Sequence, residues 1–134
     1  MSEENVEVVR LAVAAFAKEG VEGLIPFNAD AIVIYSIPEW PDDPEYHGHA
    51  GVRTLSGVWE EAFDDFRFDL VELQDAGDLV VGLFELSGRF MGSTTAARQP
   101  IGAVFSEIRD GKIGQIRYFS GWETALSEAG VAGS

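Results

Sequence analysis

The stretch Ile101-Gly-Ala-Val-Phe-Ser-Glu-Ile-Arg-Asp110-Gly-Lys-Ile-Gly-Gln-Ile-Arg-Tyr-Phe-Ser120-Gly-Trp-Glu-Thr-Ala-Leu126 holds two apolar runs, a tight reversal between them and a helix start. Asp110-Gly111 is the deciding pair. A type I′ hairpin turn needs φ > 0 at both central residues, which Asp-Gly meets at little steric cost. One strand is therefore expected to run up to Ile108, reverse through Arg109–Lys112 and return as Ile113–Phe119. A short helix then closes the hairpin at Trp122–Leu126.

Working backward, Leu79–Met91 reads as a long strand and Phe66–Leu73 as another, joined by a turn at Asp75–Asp78, with Gly92 and Ser93 turning the chain into the hairpin. Val52, Leu55, Trp59 and Phe63 recur at helical spacing. Before them, Pro38, Pro41 and Pro44 alternate with Glu39, Asp42, Asp43 and Glu45, which predicts a loop. Ala31–Ile37 is β-branched and apolar, a buried strand. Val21–Phe27 predicts a second, short helix, weakened by Gly23 and Pro26. At the front, Ser2 can cap a helix whose first turn carries Glu3 and Glu4 against the macrodipole. Val6, Val9, Val13 and Phe16 form one apolar face of that helix, and Gly20 ends it. Consecutive strands with short turns pair antiparallel, so the chain is α+β, with helices covering one face of a curved sheet.

The 134 residues suit one domain, 1–134, large enough to bury roughly two-thirds of its unfolded surface. No run is long and apolar enough for a membrane span, and the acidic N-terminus is unlike a signal peptide, so a soluble, cytoplasmic protein is expected. The absence of cysteine excludes disulfides, thiolate zinc sites and cysteine nucleophiles. A formal net charge of −14, from 23 acidic and 9 basic residues, opposes phosphate neutralisation. Neither nucleic acid nor an anionic membrane is expected as a partner. The acidity reads as solubility or, alternatively, as steering of a cationic ligand.

Glu4–Arg10, Tyr46-His-Gly-His-Ala-Gly-Val-Arg53, Asp75–Asp78, Arg109–Lys112 and Ala125-Leu126 follow one another in an order that resembles bacterial SnoaL-like proteins of the nuclear transport factor 2-like superfamily. The resemblance implies a cone: a strongly bent antiparallel sheet, mixed at one strand, wrapped around three helices, with a short C-terminal helix and a pocket at the open end. It also implies a frequent homodimer, formed through the sheet. Members include polyketide cyclases, ketosteroid isomerases and limonene epoxide hydrolases alongside domains of no known activity. A fold shared by so many chemistries leaves function to the site.

Strand parity supplies the first reading of that site. Val80, Gly82, Phe84, Leu86 and Phe90 share one face of their strand, Gly102, Val104, Ser106 and Ile108 one face of the next, and Gly114, Ile116, Tyr118 and Ser120 one face of the last. These sets are expected to face the helices. Glu85, Arg89, Glu107 and Arg117 would then lie outside as cross-strand ion pairs. The pocket wall is read as Trp40, Trp59, Phe63, Phe84, Val104, Ser106 and Ile116, with Tyr35 and Tyr118 as further aromatic walls. Trp59 also fits the core stripe of its helix, and Trp40 reads as a lid or a dimer contact.

Proton abstraction beside a carbonyl needs a base and hydrogen-bond donors where negative charge develops. His49, Tyr35 and Tyr118 are the candidate catalytic residues. His49 reads as a ring that satisfies loop or helix-end backbone groups or, alternatively, as an acid/base or ligand-orienting group at the pocket rim. His47 and His49, even with Glu45, make a poor metal set, and no metal or cofactor is assigned. Where relatives carry an acid before the last helix, Ser120 and Glu123 read as a capping box. No phosphate loop, nucleophile elbow or metalloprotease motif is present. Three functions stay open: a domain that binds a small, largely apolar ligand; an isomerase, cyclase or epoxide hydrolase acting on a polycyclic or terpenoid substrate; and a non-catalytic dimerisation module with a filled cone.

Overall fold

The Asp-Gly reversal forms as the turn chemistry requires. Asp110 and Gly111 take φ of 53° and 74°, and Arg109 and Lys112 exchange backbone hydrogen bonds of 2.9 Å in both directions. In the computed structural model, which describes residues 2–38, 44–90 and 97–130, the hairpin joins β5 (Ala97–Ser106) to β6 (Ile113–Phe119). The strand ends earlier than Ile108 because Glu107 turns to φ 54°, and its carbonyl accepts the Gly114 amide at 3.1 Å.

The other elements are α1 (Ser2–Glu19), α2 (Val21–Leu24), a 3₁₀ turn over Ile25–Phe27, β1 (Asn28–Tyr35), β2 (Glu45–His47), α3 (Gly48–Ala62), β3 (Phe63–Ala76), β4 (Leu79–Phe90) and α4 (Trp122–Glu128). The six strands form one sheet in the order β2-β1-β6-β5-β4-β3. The β1–β6 pair is parallel and the other pairs are antiparallel. This is the α+β architecture expected, with a mixed sheet. Bulges between Asp64 and Arg67 and between Leu70 and Glu72 let β3 bend along its length.

Three details differ from the sequence reading. Glu45–His47, assigned to the proline-rich loop, pairs with β1 through Val33↔His47, Ile34↔Tyr46 and Tyr35↔Glu45. The strand forms because Tyr46 is buried in the core while its two neighbours stay exposed. At the last helix the N-cap position falls to Gly121, whose φ of 132° carries the chain off the sheet. Ser120 thus precedes the cap instead of forming it. Trp40, Asp42, Asp43, Gly92 and Ser93 lie outside the described residues.

The third difference concerns faces. α1 and α3 bury Val9, Ala12, Val52, Leu55 and Trp59 against Phe84, Leu86, Ile101, Ala103, Phe105 and Ile116 on the inner side of the sheet. A second cluster lies on the outer side, where Ala125 of α4 meets Val81, Leu83, Val104 and Phe119. Strands buried on both faces lose the apolar–polar alternation by which parity is read. Hence the parity expected for β5 is reversed. Ile101, Ala103 and Phe105 face the inner helices, whereas Gly102 and Val104 face α4. The approach is close: a Cβ on Gly102 would stand 2.4 Å from the Ala125 Cβ and 2.8 Å from the Gly121 carbonyl oxygen. Trp122 fixes the same helix by donating its indole N–H to the Phe84 carbonyl at 2.8 Å.

Candidate functional site

Between the inner helices and the sheet lies an apolar cavity of about 80 Å³. α1 gives it Ala12, Val13 and Phe16, α2 gives Leu24, and α3 gives Val52, Leu55, Ser56 and Trp59. The sheet adds Ile34, Phe66, Phe68, Phe84, Phe105, Ile116 and Tyr118. The spacings are those of one helix face and of alternate strand positions, so the wall follows from local geometry. Among these lining residues none is a carboxylate, a histidine, a lysine or an arginine.

The aromatic rings pack on one another. Phe68 stacks on Phe84 with centroids 4.5 Å apart. Trp59 meets Phe68 edge-on at 5.4 Å and Tyr118 edge-on at 5.1 Å. Such offset and T-shaped pairs add stability beyond area burial and hold the wall in shape. Polar atoms enter the wall only from Ser56, Trp59 and Tyr118. Burial pushes the Tyr118 phenol well above the ordinary tyrosine range, because the phenolate would lose its hydration there. The group is therefore a neutral hydroxyl across the physiological range. The cavity is smaller than the 300 to 1,000 Å³ typical of ligand sites and has room for a small molecule at most.

A second, more open hollow of about 420 Å³ lies beside the end of β1 and is lined by Tyr35, Ser36, Pro38, Pro44, Gln115, Arg117, Tyr118 and Phe119. Arg117 and Phe119 belong to the outer face of β6, where the guanidinium lies over the Phe119 ring at 5.4 Å. The larger hollow is thus the more open of the two, and the apolar cavity is the smaller one.

The residues singled out by sequence separate accordingly. Trp59, Phe84, Ile116 and Tyr118 come together on the apolar wall. Phe63 is buried in the core beside Phe66 and stands off the wall. Val104 and Ser106 lie on the other side of the sheet: Val104 packs in the α4 cluster, and Ser106 pairs across from Gln115. Their placement on the inner wall is corrected by the reversed parity of β5. Tyr35 lines the outer hollow, apart from the apolar cavity. His49 lines neither. Its Nε2–H donates to the Asn28 carbonyl at 2.9 Å, and Asp30 Oδ1 is 3.8 Å away, so the ring clips the start of α3 to the start of β1. No group of three or more histidine, aspartate or glutamate side chains able to hold a metal ion occurs among the described residues.

The charged quartet lies away from the apolar wall. Glu85 faces Arg98 at 3.6 Å, Arg89 holds Asp65 at 2.7 Å, and Glu107 meets Arg109 at 3.3 Å. The sequence reading overlooked Phe66, Phe68 and Phe105 as wall residues. The Phe66-x-Phe68 alternation on β3 was the available signal, whereas Phe105 was hidden by the parity error.

A model of the SnoaL-like domain matches residues 9–116. No curated protein matches the chain. Among solved structures, a protein from Catenulispora acidiphila with a ketosteroid isomerase-like fold, in complex with trimethylamine, superposes with a TM-score of 0.71 at 15% identity, covering 92% of each chain. TerC co-crystallised with polyporic acid gives 0.74 at 19% identity over 94% of this chain and 97% of its own. A protein from Jannaschia sp. CCS1, described as a SnoaL-like polyketide cyclase, gives 0.71 at 20% identity over 99% and 95%. At these identities the structural likeness establishes the fold. With the family model spanning most of its length, the chain belongs to the SnoaL-like domain family.

Proposed function

We propose that this protein binds a small, largely apolar molecule in the cavity between its inner helices and its sheet. The observation that carries the reading is the lining: seven aromatic side chains and no charged one form the cavity wall. Desolvating a charged ligand there would have no compensating partner, whereas an apolar ligand gains from leaving water. Two structural neighbours, one in complex with trimethylamine and one co-crystallised with polyporic acid, support a small-molecule ligand. The proposal includes a homodimer formed through the outer sheet face, and a cytoplasmic location.

The enzyme reading, an isomerase, cyclase or epoxide hydrolase, lacks an internal base among the described lining residues. Of the three candidates for catalysis, only Tyr118 is on the apolar wall; it meets Tyr35 at the outer hollow, and His49 lines neither. Binding without turnover is therefore the reading preferred here. Thermal unfolding with a panel of single-ring hydrocarbons, single-ring ketones and trimethylamine tests it. A ligand at about 100 times its Kd stabilises the fold by roughly 2.7 kcal/mol. Stabilisation by the neutral ring compounds is expected. No shift with any compound that fits the cavity would contradict the reading, and turnover of ketones or epoxides would favour the enzyme.

A further inference from the structure

Arg117 breaks a rule that the other arginines keep. The sequence sets seven arginines among 23 acidic residues. Six of them, Arg10, Arg53, Arg67, Arg89, Arg98 and Arg109, hold a carboxylate at 2.6 to 3.6 Å. Arg117 has no such partner among the described residues. Its guanidinium lies over the Phe119 ring, 5.4 Å from the centroid, a contact that leaves its N–H donors without an acceptor. Along the sheet register Glu45 sits opposite Tyr35, which sits opposite Arg117. Two strand spacings, about 10 Å, thus separate acid from arginine, and Glu45 is engaged by His47 at 3.1 Å.

The hollow that holds Arg117 suits an anion. Its volume of about 420 Å³ falls in the ordinary range of ligand sites, and no carboxylate lines it. The Gln115 amide and the Tyr35 hydroxyl also line it, and neither is committed to a hydrogen bond among the described residues. Pro38, Pro44 and the Tyr35 ring add apolar surface. A guanidinium pairs best with a planar carboxylate, through two parallel N–H bonds. One cation on a chain of net charge −14 matches a single negative charge, and a dianion finds no second partner. We propose that this hollow is a second binding site, for a small aromatic carboxylate. Arg117 and Gln115 donate to its carboxyl group, and its ring lies against Tyr35, Pro38 and Pro44. The site is independent of the inner apolar cavity.

The test is a titration followed by NMR on wild type and Arg117→Gln, with benzoate, its neutral isostere benzamide, and inorganic phosphate as probes. Benzoate should shift the Gln115 side-chain amide of wild type saturably and leave the Trp59 indole unmoved. Its affinity should fall tenfold or more in Arg117→Gln, the worth of a charge-assisted hydrogen bond. Arg117→Lys keeps the charge and loses the fork, so it should bind benzoate with intermediate affinity. Benzamide and phosphate should bind wild type no better than Arg117→Gln. The arginine is exposed, so both variants should keep the wild-type melting temperature. A salt series on wild type needs no variant: benzoate should weaken between about 10 and 150 mM ionic strength while benzamide does not. Equal benzoate affinity in wild type and Arg117→Gln, benzamide binding as tightly as benzoate, or no saturable shift at Gln115 would overturn the proposal. So would an affinity that falls as protein concentration rises, the sign of a second copy covering the hollow. None of these failures touches the inner cavity, which is read at Trp59.

Discussion

Asn28 shows how single side chains divide between folding and function. It is fully buried at the start of β1, and neither its side-chain oxygen nor its nitrogen has a hydrogen-bond partner among the described residues. Its backbone is used instead: the N–H donates to the Ile25 carbonyl and the carbonyl accepts from His49. Asn28→Leu should therefore stabilise the protein by about 1 kcal/mol, since an apolar side chain of similar shape removes two unpaired groups. Chemical denaturation measures this, and a loss of stability would show that the amide is satisfied. His49→Ala should cost about 1 kcal/mol by leaving that carbonyl without its donor. Ligand affinity should not change, because the ring lies on neither hollow. The histidine was visible in the sequence as one of two, but its partner is a backbone atom 21 positions away. No pattern in the sequence reports such a contact, so the choice between rim group and backbone clip stayed open until the fold placed it.

At the scale of elements, legibility followed from how many neighbours each element has. The hairpin turn depends on two residues and their φ angles, and it formed as Asp110-Gly111 dictates. β4 and β5 each answer to helices on both faces; the parity read for β4 holds, with Val80, Phe84 and Leu86 inward, and that for β5 is reversed. Val81, Leu83 and Val104 are as apolar as the inward residues beside them, because α4 buries them from the other side. The small residue Gly102 was the clue to that helix: it admits Ala125 where any Cβ would collide. Gly102→Ala should lift α4 from the sheet and cost roughly 1 to 3 kcal/mol, the range for overpacking a close contact. Because Trp122 of the same helix bonds the carbonyl of the wall residue Phe84, the change should also disturb the Phe84 resonances. A neutral effect on unfolding would mean that α4 adjusts freely.

Across the whole molecule, charge and burial do separate work. The described ion pairs lie at the surface, where each contributes a few tenths of a kcal/mol at most, and the apolar core carries the fold. A net charge of −14 on 134 residues sets the chain against itself. Raising ionic strength from about 10 mM to 150 mM shortens the Debye length from roughly 30 Å to 8 Å and should raise the melting temperature; a fall would mean that the ion pairs outweigh the self-repulsion. The acidity also left one sequence reading open, that of steering a cation, which the uncharged wall does not support. The fold was legible because it rests on turns, periodicity and motif order. Part of the site was legible with it, since the wall is the inner face of that fold; the reversed strand hid Phe105, and the Phe66-x-Phe68 alternation went unread.

The most direct measurement is the Trp59 indole N–H resonance during titration with isopropylbenzene. Trp59 belongs to the apolar wall and is in contact with Phe68 and Tyr118, so a ligand in the cavity must alter its ring-current environment. A saturable shift at Trp59, with residues of the outer hollow such as Gln115 unchanged, is the predicted result. Binding that moves Gln115 and Arg117 while Trp59 stays still, or no saturable shift at all, would contradict the claim that the inner apolar cavity is the ligand site.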